Sequence, residues 1–368
     1  FYFKMSYPIN ISIIVPFYNS EKHIKNCIDT LVNQNFDGSF EIIMVDDAST
    51  DNSQKEIKKY NLPSIKLFSL GVNAGQSAAR NLGIKKAKGT YIFFMDVDDT
   101  IEKNTLSTLY NLAIQKDCDV VFSDFKRIEN SQNQRNNIFN YPDDQFFDSE
   151  ELLNLMQKEL YDHNPLFGHL GLFGCNARLI KSSIIHNNKI LFREELRYLE
   201  DKTFGWDTLG FVKNVYYVKK QLYSYHVYPN VSTAIIDGVN NGFPLANFKL
   251  VKTHIQNSLR SRGLDENNVE KCGDQGFIFF IITLLVSYSR CILLKKVEFH
   301  KGKSYRKKII NEIINDPDIS KAIKNYSPSK QESYWIPKSI IFRSCFFLEL
   351  ACDIRANETI QMRRKGKS

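Results

Sequence analysis

The chain has 368 residues, 43% of them hydrophobic and 24% charged, which is ample for two or three packed domains and excludes disordered or fibrous architectures. Seven cysteines without a CxxC pair argue against a disulfide framework or a zinc ribbon and for a reducing compartment. The net charge of +8 is uneven: from Asn241 onward 23 Lys and Arg face 12 Asp and Glu, a balance of +11, while the first 240 residues hold the other 26 against 29, a balance of −3.

Residues before Met5 read as an added leader, and no charged segment followed by an apolar run and a small-residue cleavage site is present, so signal-peptide export is not expected. Short β-rich runs at Asn10–Phe17, Phe40–Asp46, Ile65–Ser69, Tyr91–Met95 and Val120–Ser123 alternate with helical patterns at Glu21–Val32, Ser53–Tyr60, Gln76–Ala87 and Thr105–Lys116. That alternation predicts an α/β fold whose mixed sheet is mostly parallel. Ser20 is placed to cap the first helix, and Thr50, Asp51 or Ser53 the second. The polar stretch Glu129–Asn140 reads as a loop, Ser149–Glu159 as a helix, and Ile190–Phe192 and Asn214–Tyr217 as short strands. From about Asn241 helical periodicity takes over, which divides the chain into domains at 5–240 and 241–368. The longest apolar run, Phe277 to Val286, is short of the roughly 20 residues a bilayer requires and reads as a buried helix.

In a parallel sheet, ligands gather beyond the carboxyl ends of the strands. Three early runs end there in polar residues: Val15-Pro16-Phe17-Tyr18-Asn19, Val45-Asp46-Asp47-Ala48-Ser49-Thr50-Asp51 and Met95-Asp96-Val97-Asp98-Asp99. Any one Asp can be an ordinary turn residue, but two acidic clusters on one rim suit a ribose or base and a hard divalent cation such as Mg²⁺ or Mn²⁺. Asn73-Ala74-Gly75-Gln76-Ser77-Ala78-Ala79-Arg80-Asn81-Leu82-Gly83 reads as a loop opening a helix, with Gly75 allowing close backbone approach and Arg80 one turn in, either solvated or facing a phosphate.

These four segments, in this order, resemble the nucleotide-sugar half of family-2 glycosyltransferases over roughly Ile9 to Ser232. The resemblance implies a GT-A fold, an inverting mechanism, a nucleotide-diphosphate sugar donor, with UDP expected, and Mn²⁺ or Mg²⁺ as cofactor. Carried over, it places Pro16, Tyr18 and Asn19 along the nucleoside, Asp46 and Asp47 on the base, and Gly75 and Arg80 at the nucleotide end. Asp96, Val97 and Asp98 would serve ribose and metal, with Asp99 as an alternative ligand. Ala48 stands where glycine is more common, so the backbone there is more restricted. Leu199-Glu200-Asp201-Lys202 is similar to the family's later acidic motif, which makes Asp201 the catalytic base and Glu200 an orienting or acceptor-binding group. The bland alternative is an acidic pair at a helix N-terminus. His226, ahead of Pro229-Asn230-Val231-Ser232, is a metal or diphosphate candidate, and Arg178 a phosphate candidate, each with a structural role as the alternative. Gly168 to Gly174, Trp206 and Asp207 read as acceptor-pocket candidates, with core packing the stronger role for Trp206.

Past Asn241 the resemblance fades. Ile340 to Leu350 is apolar at helical spacing and basic residues follow, which suits peripheral contact with an anionic membrane, packing on a second copy in a homo-oligomer, or packing within the chain. No aromatic platform supports nucleic-acid binding. The expected activity is a bacterial glycosyltransferase building capsule, lipopolysaccharide or a related polymer on a glycan or lipid-linked acceptor, in the cytoplasm or at the inner membrane's cytoplasmic face. A non-catalytic sugar-nucleotide or glycan-binding subunit is the alternative. A nucleotidyltransferase is disfavoured because no Gly-rich basic loop follows the first strand, and a processive synthase because no Gln-x-x-Arg-Trp motif is present.

Overall fold

The computed structural model describes residues 8–129, 133–135, 141–161, 173–196, 198–227, 245–329 and 332–364. The chain forms two compact units, Phe1–Leu152 with Leu170–Tyr228, and Leu153–His169 with Pro229–Ser368. The border expected at 240/241 falls outside the described residues, as do Gly168–Leu172 and Pro229–Ser232.

In the first unit, β1 (Ile11–Phe17), β2 (Phe40–Asp46), β3 (Ile65–Ser69) and β4 (Tyr91–Phe94) form the parallel half of one sheet, in the order β3-β2-β1-β4. The strand β9 (Arg178–Lys181) then enters antiparallel between β4 and β6 (Val120–Glu129), and β10 (Val215–Val227) runs parallel to β6. Short strands β5 (Thr100–Ile101), β7 (Asn133–Arg135) and β8 (Gln145–Phe147) pair antiparallel at the margins. Because β1, β2, β4, β6 and β10 point the same way, their carboxyl ends share one rim, and β9 delivers its amino end to it.

The helices α1 (Glu21–Val32), α2 (Ser53–Lys58), α3 (Gln76–Lys86), α4 (Thr105–Gln115), α5 (Ser149–Tyr161), α6 (Ser182–Asn187) and α7 (Glu200–Leu209) connect or flank these strands. In α1 the buried residues Ile24, Cys27, Ile28 and Leu31 make the i, i+3, i+4, i+7 stripe that a core-facing helix needs. They cover Ile11, Ile13, Val15, Ile42, Met44 and Phe93, each such buried side chain stabilising the fold by about 1.5–3 kcal/mol. On the opposite face α3 lies close to β1: a Cβ on Gly83 would come within 2.4 Å of Ile14, so the glycine in the sequence motif is a packing requirement.

The sequence reading differs in local structure: Ile190–Phe192 is irregular, the polar stretch 129–140 contains β7, and β5, β8 and β9 were not foreseen. Ser20 precedes α1 but its side chain makes no cap; the carboxylate of Asp51 takes the N–H groups of both Glu21 (3.0 Å) and Ser53 (2.9 Å), and so serves the starts of two helices.

The second unit is helical in its described residues: α8 (Leu245–Ser261), α9 (Glu266–Leu293), α10 (Phe299–Asn315), α11 (Pro317–Ala322), α12 (Trp335–Ile341) and α13 (Cys345–Arg364). The apolar run at 277–286 lies within α9, which is long and apolar enough to cross a membrane, yet 72% of its most apolar stretch is buried inside the chain. The expected helix over Ile340–Leu350 is instead a corner between α12 and α13, where Arg343 takes a positive φ of 51°.

Candidate active site

At the rim, the loops after β1 and β2 are tied to each other. Asn19, at φ 47°, donates its N–H to the Ser49 hydroxyl (2.9 Å) and accepts from the Thr50 N–H (2.8 Å) through Oδ1. Pro16 is buried in β1, and Tyr18 stands out 46% exposed, an aromatic face at the edge of the loops. The two carboxylates after β2 differ from expectation. Asp46 is buried and accepts from the Ser49 N–H (2.9 Å) and the Gln54 side-chain amide. Asp47 accepts from the N–H groups of Ala74 (2.7 Å) and Gly75 (2.9 Å). Both accept backbone N–H groups and so stabilise turns. Asp47 thereby fixes the loop into α3, where Gly75 takes φ 91°, a conformation that favours glycine.

Arg80 is the centre of the site. It is 3% exposed, with Nη2 on Asp96 Oδ1 at 2.9 Å, Nη1 near Glu200 Oε1 at 3.4 Å and its guanidinium 5.2 Å from the centre of the Phe192 ring. Asn176, delivered just ahead of β9, donates Nδ2 to the other oxygen of Asp96 at 2.8 Å. The Gln76 side chain donates to Glu200 at 2.6 Å, so α3 and α7 are joined through one carboxylate. Arg80 thus holds Asp96, and the buried Glu200 is turned toward Arg80 and Gln76. Burial first, and then the charge of Asp201, pushes the Glu200 carboxyl up to about 7, against the opposing pull of Arg80. Asp201, the next residue, is half-buried, with one oxygen accepting from the Lys202 N–H at 2.8 Å.

The acidic turn after β4 separates into unlike carboxylates. Asp99 is buried, accepting from Tyr223 Oη (2.5 Å) and from the His226 N–H (2.9 Å); burial, Asp96 and Asp98 all raise its carboxyl well above the usual range. It anchors β10 to the turn and is not placed as a metal ligand. Asp98 is partly open, and burial followed by Asp96 pushes it up to about 6. Val97 is half-buried against the core. His226 Nε2 shares a hydrogen bond with Thr100 Oγ1 at 3.1 Å, and burial together with His23 lowers its pKa.

Among the described residues no three side chains converge as a complete protein-built metal site. A cation held chiefly by a diphosphate and water requires only one or two carboxylates. The crowded, partly open Asp98, with Asp96 beside it, fits that demand; Asp99 does not.

Arg178 is 3% exposed, its guanidinium 5.7 Å from the Phe122 ring centre and its Nε bonded to the carbonyl of Asn176 (3.2 Å). It shares a small cavity with Val120, Phe204 and Thr208 beneath α7, and burial lowers it to about 10. This is a buried core position. Trp206 is buried and stacked on Phe173 at 3.9 Å, a packing role, and Asp207 lies 3.7 Å from Arg193. Sequence reasoning missed Asn176, Gln76, Phe192 and Tyr223. Asn176 stands two residues before Arg178, but formal charge drew attention to Arg178.

Residues 12–186 match the family described as Glycosyl transferase family 2. That segment, just under half of the chain, is similar to glycosyltransferase family 2. It is 29% identical to glycosyltransferase GlyG of Streptococcus pneumoniae over 219 residues, covering 58% of this chain and 70% of that protein. It is 33% identical over 202 residues to the poly(ribitol-phosphate) beta-glucosyltransferase of Bacillus spizizenii, and 30% over 199 residues to the Staphylococcus aureus poly(ribitol-phosphate) beta-N-acetylglucosaminyltransferase TarS. These alignments cover 53% of the chain in each case, and 29% and 32% of the relatives, so the chain spans about a third of those two proteins. The crystal structure of S. aureus TarS 1–349 in complex with UDP superposes with a TM-score of 0.67 at 20% identity, over 97% of this chain and 92% of that one, which establishes the GT-A fold. The acidic turn after β4 and the acidic start of α7 are the two motifs that Arg80 joins.

Proposed function

We propose that the protein transfers a sugar, with inversion at the anomeric carbon, from a UDP-sugar to a hydroxyl of a surface glycan or polyol-phosphate polymer. The observation that carries this reading is the bridge from Asp96 through Arg80 to Glu200, which fixes the donor-side turn against the residue preceding Asp201. The names of the relatives support the acceptor class, and the UDP and UDP-GlcNAc complexes of TarS support the donor.

In the reaction, Asp201 takes the proton of the acceptor hydroxyl as that oxygen attacks the anomeric carbon. The bond from that carbon to the diphosphate oxygen breaks, and its electron pair leaves with the diphosphate. A Mg²⁺ or Mn²⁺ ion held by Asp98 with Asp96 would neutralise the charge that develops on the leaving group. Arg80 and Asn176 hold Asp96 in one orientation, and Tyr18 offers its ring to the nucleoside base.

The test is transfer by Asp201→Asn with UDP-sugars and a divalent cation. We expect turnover to fall by roughly 10²–10⁴-fold while UDP affinity stays within a few-fold of wild type. Unchanged turnover would remove Asp201 as the base.

A further inference from the structure

The second unit carries an apolar surface that the chemistry of the first does not use. Large apolar residues are exposed singly across the first unit, as is ordinary for a folded chain. Around the corner between α12 and α13 they are consecutive: Trp335 (67% exposed), Ile341, Phe342 (74%), Phe346 (70%), Phe347 and Ile354. The opposite face of α13, with Leu348, Ala351, Cys352 and Ala356, is already buried. This helix is therefore apolar toward the protein and again toward the outside, which a helix whose second face remained in water would not require.

The charged residues of the corner, between Trp335 and Cys345, are both cations. Lys338 Nζ lies 4.1 Å from the centre of the Tyr334 ring and 5.9 Å from that of Trp335, and, further along the unit, Lys303 Nζ lies 4.4 Å from the centre of Phe299 on α10. Arg343 is exposed at the corner itself. Of the acids on α13, Asp353 is paired with Arg306, Glu358 with Arg355 (3.0 Å), and Glu349 is half-buried. Ammonium groups lying over aromatic rings, beside phenyl rings that project outward, suit an interface where rings enter the acyl boundary and cations remain at headgroup level. A symmetric contact with a second copy would place this cationic rim against itself.

We propose that the corner of α12 and α13 is a membrane-docking surface for anionic lipid, with Phe342, Phe346 and Phe347 entering the bilayer interface and Lys338 and Arg343 meeting the headgroups. Docking is peripheral: the phenyl rings supply the apolar part and the lysine and arginine the salt-sensitive part. This proposal does not depend on the transferase reading.

Co-sedimentation of the full chain with vesicles tests it, comparing phosphatidylglycerol–phosphatidylcholine mixtures with phosphatidylcholine alone. We expect binding to the anionic vesicles, weakened by salt, and a loss of at least about tenfold in partition for Phe342→Ser with Phe346→Ser. Both side chains are exposed, so the doubly substituted protein is expected to keep the wild-type melting temperature, which is measured alongside. Absence of binding at low salt, or equal binding by the variant, overturns the proposal. A wild-type dimer that the two substitutions dissociate, without vesicle binding, also overturns it and assigns the face to a second copy.

Discussion

Ala48 has φ 60°, in the left-handed region, between the Asp47 that secures the α3 loop and the Ser49 that closes on Asp46. A side chain there costs about 1–2 kcal/mol, and glycine would relieve it at the expense of greater freedom in the unfolded chain. Ala48→Gly should therefore raise stability by about 1 kcal/mol, measured as a higher denaturation midpoint with an unchanged slope. Sequence disclosed this position, because an alanine where glycine is common is visible as a departure. It did not disclose that Asp46, Asp47 and Asp99 are bonded into the fold while Asp98 is left partly open. All four follow a strand and carry the same charge, and only their partners, Ser49, the 74–75 amides and Tyr223, distinguish them.

Elements written in a single period were legible. The strands at Phe40–Asp46 and Ile65–Ser69 and the helix Glu21–Val32 fall where short β-rich apolar runs and the 3.6-residue stripe put them. β9 was not legible, since four residues between Arg178 and Lys181 carry no alternation and are a strand only because β4 and β6 accept them. The coupling of α3 to α7 through Glu200 was equally invisible, because Gln76 and Arg80 are 124 and 120 residues away. The burial of that carboxyl beside Asp201 has a pH signature. Folding raises the Glu200 carboxyl from 4.5 to about 7, so the folded chain binds more protons than the unfolded one between those values. The contribution is present below about pH 4.5 and is lost as pH rises through about 7. Relative to Glu200→Gln, which does not titrate, the wild type should lose up to about 3 kcal/mol of stability across that window, followed by denaturant titrations at several pH values.

Across the whole chain, the charge asymmetry that is plain in the sequence follows the division into two units. The carboxylate-rich rim belongs to the first unit, and the basic excess lies almost entirely on the second. That excess is not uniformly superficial. Arg306 on α10 is 2% exposed, bonded to Ser289 on α9 (2.7 Å) and to both oxygens of Asp353 on α13, so a single guanidinium fixes three helices. Replacing it by alanine leaves a void and strands a partly buried carboxylate, at a cost of about 3 kcal/mol. Every residue assigned above to the donor belongs to the first unit. Arg306→Ala should accordingly lower the unfolding temperature of the protein while leaving UDP affinity, titrated calorimetrically well below that temperature, within about twofold of wild type, a shift of less than about 0.5 kcal/mol. A folded variant that had lost UDP binding would show that the helical unit supports the donor site.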